Sequence, residues 1–228
     1  MNVSPTRILA ALVCGAGLCA GVQALMPEAT ILMSKSEADG HKAGSDKYKR
    51  FGSSTCGGGS CHAASKPGDE RPANEYKTWQ DEDRHSKAFA TLYEEESADM
   101  AEELEIEDAS TSPRCISCHS TDVPKKLQGK KYNVEDGVSC DGCHGPAEGW
   151  FEPHTKPHKY EDMLKLGMWD TRDMWARADV CVLCHLQIEP ELVDAGHPDL
   201  SFELVNHSRR EPPHWFERQS WDGVRSWL

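Results

Sequence analysis

Large apolar side chains are scarce in this sequence: aromatics make up 7% of its 228 residues and hydrophobic residues of all kinds 38%. That is too little for a conventional side-chain core in a chain of this length, so either much of it stays unfolded or something other than side chains fills its interior. Apolar runs long enough to cross a bilayer are also missing beyond the N-terminus, which excludes a multispanning membrane protein. Basic charge is in deficit, with 25 Lys and Arg against 38 Asp and Glu and a formal net charge of -13. An acidic surface repels nucleic acid and favours protein partners with basic docking faces. Much of the acidity sits in Glu94 to Glu107, interleaved with Leu104 and Ile106, the pattern of a solvated helix face.

The N-terminus has the three parts of a secretory signal: Arg7 as charged region, an apolar stretch from Ile8 to Gly21, and the small-residue pattern Val22-Gln23-Ala24. Residues 1–24 are therefore expected to be a signal peptide and the protein to be periplasmic or extracellular. The competing reading is an uncleaved anchor, because the apolar stretch extends to Met26, and only then would the chain contact a membrane. Residues 25–50 read as a flexible leader and 51–228 as the folded domain, one rather than two.

Of the ten cysteines, two lie in the signal segment. The other eight fall into pairs that each end in Cys-His, with none left over. Three are C-x-x-C-H: Cys115-Ile-Ser-Cys118-His119, Cys140-Asp-Gly-Cys143-His144 and Cys181-Val-Leu-Cys184-His185. The fourth is longer, Cys56-Gly-Gly-Gly-Ser-Cys61-His62. C-x-x-C-H is the attachment sequence of c-type heme. Two thiols one helical turn apart reach the two vinyl groups on one porphyrin edge, and the next histidine presents its imidazole to the iron as proximal ligand. In the longer variant the extra residues must bulge, and Gly57, Gly58 and Gly59 are expected to allow it through positive φ. Disulfides place no demand on the residue after the cysteine, and zinc sites usually space their histidines away from the cysteines, so both alternatives fit less well. The cofactor is thus four hemes c, which also fill the interior that side chains cannot. The fold expected is mostly α with long loops, a heme-cored multiheme cytochrome c with little or no β-sheet.

Along the chain, His85, Ala88, Phe89, Leu92, Tyr93 and Met100 recur at helical spacing between Trp79 and Ile106, which puts His85 on the apolar face of a helix. Pro157 is placed to open a short helix through Leu166, another helix is expected from about Thr171 into the fourth motif, and the tail from Pro190 shows no clear periodicity. Eleven histidines less four proximal ones leave seven for the opposite face of the irons. His85 comes first, for its place on a core-facing helix. His154 and His197 follow, each downstream of a motif beside a Pro or Gly. His158 and His214 are further distal candidates, and His41 and His207 rank last. Methionine ligation would raise the potential, but Met100, Met163, Met168 and Met174 read as packing, so mainly bis-histidine, low-potential irons are expected.

The stretch Gly137-Val-Ser-Cys140-Asp-Gly-Cys143-His144-Gly145-Pro146-Ala147, with the helix around His85 upstream, resembles the tetraheme cytochrome c-554 family, whose namesake takes electrons from hydroxylamine oxidoreductase. The similarity runs from about Cys56 to His197. It implies stacked heme pairs in a helical, loop-rich fold, His85 as distal ligand of the iron at His144, His154 as that of the iron at His62, and no distal protein ligand at His119. The long first motif and the extra histidines from Gly196 through His214 depart from the family pattern. A second resemblance is to tetraheme subunits of extracellular filaments, where a histidine of one subunit ligates the next; His41 would suit that.

Three functions follow from this reading. The first is an electron carrier passing electrons between redox partners. The second is a redox enzyme acting on a small nitrogen or sulfur species at a five-coordinate heme, although only Lys125 and Lys126 near His119 would attract an anion and no catalytic acid or base stands out. The third is a homo-oligomeric filament subunit.

Overall fold

The computed structural model describes residues 47–59, 61–63, 73–186 and 188–212. The signal segment, most of the leader, His41 and His214 lie outside the described residues. Helices dominate and are short: α1 (Ser53–Cys56), α2 (Glu75–Glu82), α3 (Glu95–Glu103), α4 (Pro113–His119), α5 (Cys140–His144), α6 (Phe151–His154), α7 (Tyr160–Lys165), α8 (Met174–His185), α9 (Pro190–Asp194) and α10 (Leu204–Arg210). Between them run long irregular connections with several 3-10 turns. The β content among the described residues is one isolated parallel bridge, Arg50 to Gln128.

The helix expected across residues 79–106 is divided, and its polar residues divide it. Asp83 is extended (φ -84°, ψ 129°), and its carboxylate accepts from the His85 N–H at 2.9 Å. An Asp side chain that satisfies a nearby N–H competes with the helical ladder, so α2 stops and a 3-10 turn, Arg84–Lys87, replaces it. Glu94, also extended, makes a second break before α3. Helix α8 starts at Met174 rather than Thr171, where the Asp173 side chain caps it by accepting from the Ala176 N–H at 2.8 Å. Helix α7 starts at Tyr160, three residues beyond Pro157, and leaves His158 exposed.

Two small apolar clusters hold the scaffold. In one, Phe89, Leu92, Ala101 and Ala109 pack with Ile106, Ile116 and Val134. In the other, Ala147, Trp150 and Met163 pack with Phe51, Phe151, Leu166 and Met168. Helix α8 belongs to neither: it has no buried residue, and Trp175 and Leu183 on it are 70% and 51% exposed. Burial at roughly 25 cal/mol per Å2 is therefore concentrated in the connections around the motifs and is thin along the motif helices themselves. The scarcity of apolar side chains in the sequence has this structural counterpart.

Candidate functional site

Each Cys…Cys-His motif sits at the C-terminal end of a helix. Helices α4, α5 and α8 end on His119, His144 and His185, and α1 ends on Cys56. A helix end sets the two cysteines of C-x-x-C one turn apart on one side and leaves the histidine at the point where the chain departs. The longer first motif closes differently: the Cys61 N–H donates to the Gly58 carbonyl at 2.8 Å and the His62 N–H to the Cys56 carbonyl at 3.2 Å. None of its three glycines has positive φ, and only Gly57 is required by its size, a Cβ at Gly58 or Gly59 having room. Gly57 lies at φ -72°, and a Cβ there would meet the Tyr76 ring at 2.7 Å. None of the eight cysteines is in a disulfide.

Asp141, inside the third motif, ties the first motif to it. It is 1% exposed and spends both oxygens on backbone: Oδ2 accepts from the Phe51 and Gly52 N–H groups at 3.1 Å each, and Oδ1 from the Ala147 N–H at 2.9 Å. The first two bonds fix the strand of chain leading into α1, and the third fixes Gly145-Pro146-Ala147 just after His144. Burial pushes the Asp141 carboxyl up, against the opposing pull of the Ala147, Gly52 and Phe51 N–H groups and of Arg50. Trp169 then donates its backbone N–H to the His144 carbonyl at 3.0 Å.

The motif helices touch in a fixed order. α1 packs on α5, α5 on α8, and α8 on α4, so the motifs run first, third, fourth, second through space. At the two ends of this order Cys56 lies beside Cys140 and Cys118 beside Cys184.

Three pairs of histidine rings face each other across comparable gaps. His62 and His154 have ring centres 6.3 Å apart with planes 6° from parallel. His85 and His185 stand 6.0 Å apart at 86°, and His119 and His197 stand 6.2 Å apart at 88°. Two imidazoles bound trans to one metal at about 2 Å, each nitrogen about 1.1 Å from its ring centre, separate their centres by roughly 6.2 Å. All three pairs therefore leave room for one metal ion between them. His207 lies 5.1 Å from His185, too close for an atom to stand between.

Five of the six outer nitrogens are held as a metal site requires, whereas Nδ1 of His185 is buried without a hydrogen-bond partner. Nδ1 of His62 hydrogen-bonds Glu75 at 3.1 Å, that of His85 hydrogen-bonds Asp83 at 3.0 Å, and that of His119 donates to the Ala88 carbonyl at 2.8 Å. His154 engages the Phe151 carbonyl and His197 the Pro198 carbonyl through the same atom. An engaged Nδ1–H fixes the tautomer that keeps the Nε2 lone pair for a metal. Glu75 and Asp83 hold His62 and His85 above the usual imidazole pKa, making those rings more basic, whereas burial keeps His154 and His185 below it and neutral. Among the described residues no group of three or more His, Cys, Asp or Glu is arranged for a bare metal ion. Ligands in opposed twos, each beside a pair of thiols, suit an iron whose other four bonds come from a porphyrin.

Of the sequence candidates, His154 lies beside His62, His85 beside His185 at the end of α8, and His197 beside His119. His158, exposed in the turn before α7, bonds the Lys156 carbonyl through Nδ1. The residues that position the rings, Asp83, Glu75 and Asp141, escaped sequence reading, although Asp83 and His85 at i and i+2 carry a usable signal. So do α9 and α10: Pro190 and Gly196 have the N1 proline and C′ glycine of a capped helix, and Glu203 accepts from the Val205 and Asn206 N–H groups.

Residues 55–145 match the family described as cytochrome c554 and c-prime. That span includes the first three motifs and His85 and stops before His154, the fourth motif and His197. No curated protein and no solved structure matches the chain. No described helix is long and apolar enough to cross a membrane. The match covers less than half of the chain and supports a heme-based electron-transfer protein.

Proposed function

We propose that this protein belongs with the cytochrome c554 family, carries four covalently bound hemes c in the periplasm or outside the cell and passes electrons between redox partners. The observation that carries the reading is the set of facing histidine rings at 6.0 to 6.3 Å. Cys56 and Cys61, Cys115 and Cys118, Cys140 and Cys143, and Cys181 and Cys184 would hold the porphyrins through thioethers, with His62, His119, His144 and His185 as proximal ligands. The group supplies one chemistry when bound: iron cycling between ferric and ferrous states, with potential set by its axial ligands.

The chain's own residues do the rest. At three of the four sites two histidines would hold the iron in one geometry in both oxidation states, so little rearrangement would accompany each electron. Glu75 and Asp83 add electron density to their rings through Nδ1, which favours the ferric state and lowers the potential. Contact of the motif helices in the order first, third, fourth, second supports an electron path in that order across the molecule. On the outside, α3 buries Ser97 and Ala101 and turns Glu95, Glu96, Glu102 and Glu103 to solvent, a negative face that suits a basic redox partner.

The test is the mass and spectrum of the protein made in a host competent for cytochrome maturation. The expected result is a polypeptide heavier by four hemes, reducible, with low-spin absorption. A colourless product at bare-peptide mass refutes the reading.

A further inference from the structure

The segment from Glu189 to His197 is built as a clamp over the second motif. Glu189 stands just before α9 and forms an ion pair with Arg114, at the start of the helix that ends in His119; its Oε2 alone accepts from both Arg114 Nε, at 2.9 Å, and Arg114 Nη2. Helix α9 then spans the distance, opened by Pro190 and closed by Gly196. The Gly196 N–H donates to the Val193 carbonyl at 3.0 Å and the His197 N–H to the Leu192 carbonyl at 2.8 Å. With Gly196 at φ 104°, this is a Schellman cap, a conformation that costs a Cβ-bearing residue strain. The residue immediately after the cap is His197. Its Nδ1 is tied to the Pro198 carbonyl at 2.9 Å, and its ring stands 6.2 Å from His119 at 88°. His119 is held equally firmly from its own side by Ala88, to whose carbonyl its Nδ1 donates at 2.8 Å.

We infer that His197 is the second axial ligand of the iron held by His119, so the position that the c554 resemblance leaves open to small molecules is closed in this protein. The inference rests on the heme reading above and deepens it: an iron with both axial positions filled by protein transfers electrons and has no vacant position for substrate. The near-perpendicular ring planes give a signature of their own. Two parallel imidazoles donate π-density into the same iron d orbital and separate it from its partner, whereas perpendicular ones donate into both and leave the pair nearly equal in energy. The ferric iron at His119 should therefore give a low-spin resonance with a large maximal g value, distinct from the rhombic one expected of the parallel pair His62 and His154.

The experiment is low-temperature electron paramagnetic resonance of the heme-loaded ferric protein, wild type and His197→Ala, with mass spectrometry of both. The wild type is expected to show a large-g low-spin resonance and the rhombic one. In His197→Ala one iron of the four becomes high-spin, a large-g resonance is lost, the rhombic one stays, and added imidazole returns that iron to low spin. Recovery by imidazole also shows that the variant has folded around its hemes. Gly196→Val, which keeps the histidine and strains the cap, is expected to give a mixture of high- and low-spin iron at the same position. A His197→Ala spectrum identical to that of the wild type overturns the inference while leaving the hemes in place. Absence of heme from the wild type by mass overturns the underlying reading instead.

Discussion

Replacing Asp141 by Asn removes one charge and almost no volume, so its effect isolates the hydrogen bonds that join the first and third motifs. The Asp141 carboxylate accepts from three backbone N–H groups, Phe51, Gly52 and Ala147, in a place 1% exposed to solvent. An amide keeps one acceptor oxygen. If that oxygen stays with Ala147, an NH2 group faces the Phe51 and Gly52 donors, and both are left buried without an acceptor. Each such orphan costs about 1–3 kcal/mol, so the loss from two is roughly 2–6 kcal/mol. Against it stands the relief of no longer burying a charge, which is why Asp141 titrates above the usual carboxylate range. The net expectation is a loss of about 2–4 kcal/mol. The sign of the pH dependence follows from the raised value. Between the unfolded and folded pKa the native state binds the proton more tightly, so this group's contribution to stability falls as pH rises through that window and is constant above it. Asp141→Asn should remove that pH dependence. Guanidinium unfolding of the heme-loaded protein, followed by far-ultraviolet circular dichroism at several pH values, measures both effects. A variant within 0.5 kcal/mol of wild type, or one that keeps the wild-type slope, would refute the role assigned to the three bonds; that threshold is about the size of an ordinary surface substitution.

Other consequences are as direct. His154→Ala removes the ring parallel to His62 and should convert the first iron to high spin, with loss of the rhombic resonance while the large-g signals remain. Glu75→Gln leaves a hydrogen bond at His62 but withdraws the carboxylate, so the potential of that iron should rise; redox titration that finds it unchanged or lowered would contradict the proposed electron donation through Nδ1. Gly57→Ala drives a Cβ to 2.7 Å from Tyr76, an overlap that should cost about 1–3 kcal/mol and lower the yield of heme at the first motif, read by peptide mass. Arg114→Ala, at a partly exposed ion pair with Glu189, should cost less than about 1 kcal/mol.

The attachment motifs, the mostly helical fold and the lack of sheet were legible in the sequence, since Cys…Cys-His is a local pattern and one helical turn is enough to serve it. The breaks between elements were less so. Periodicity across Trp79 to Ile106 is a real apolar face, but Asp83 divides it by offering the backbone another partner, and periodicity does not register that competition. The tail from Pro190 lacks periodicity because α9 and α10 are too short to show it; their caps mark them instead.

The sequence by itself determined the chemistry of this protein: eight cysteines and four adjacent histidines are covalent facts of neighbouring residues, and no fold is needed to bring them together. Tertiary structure alone decided which ring stands across from which. His62 and His154, or His119 and His197, are far apart along the chain, and they meet only because Asp141 fastens one loop to another and because the Arg114–Glu189 pair and a glycine cap aim a single imidazole. Those contacts depend on buried acceptors and backbone direction, which seven spare histidines in a row of letters do not reveal.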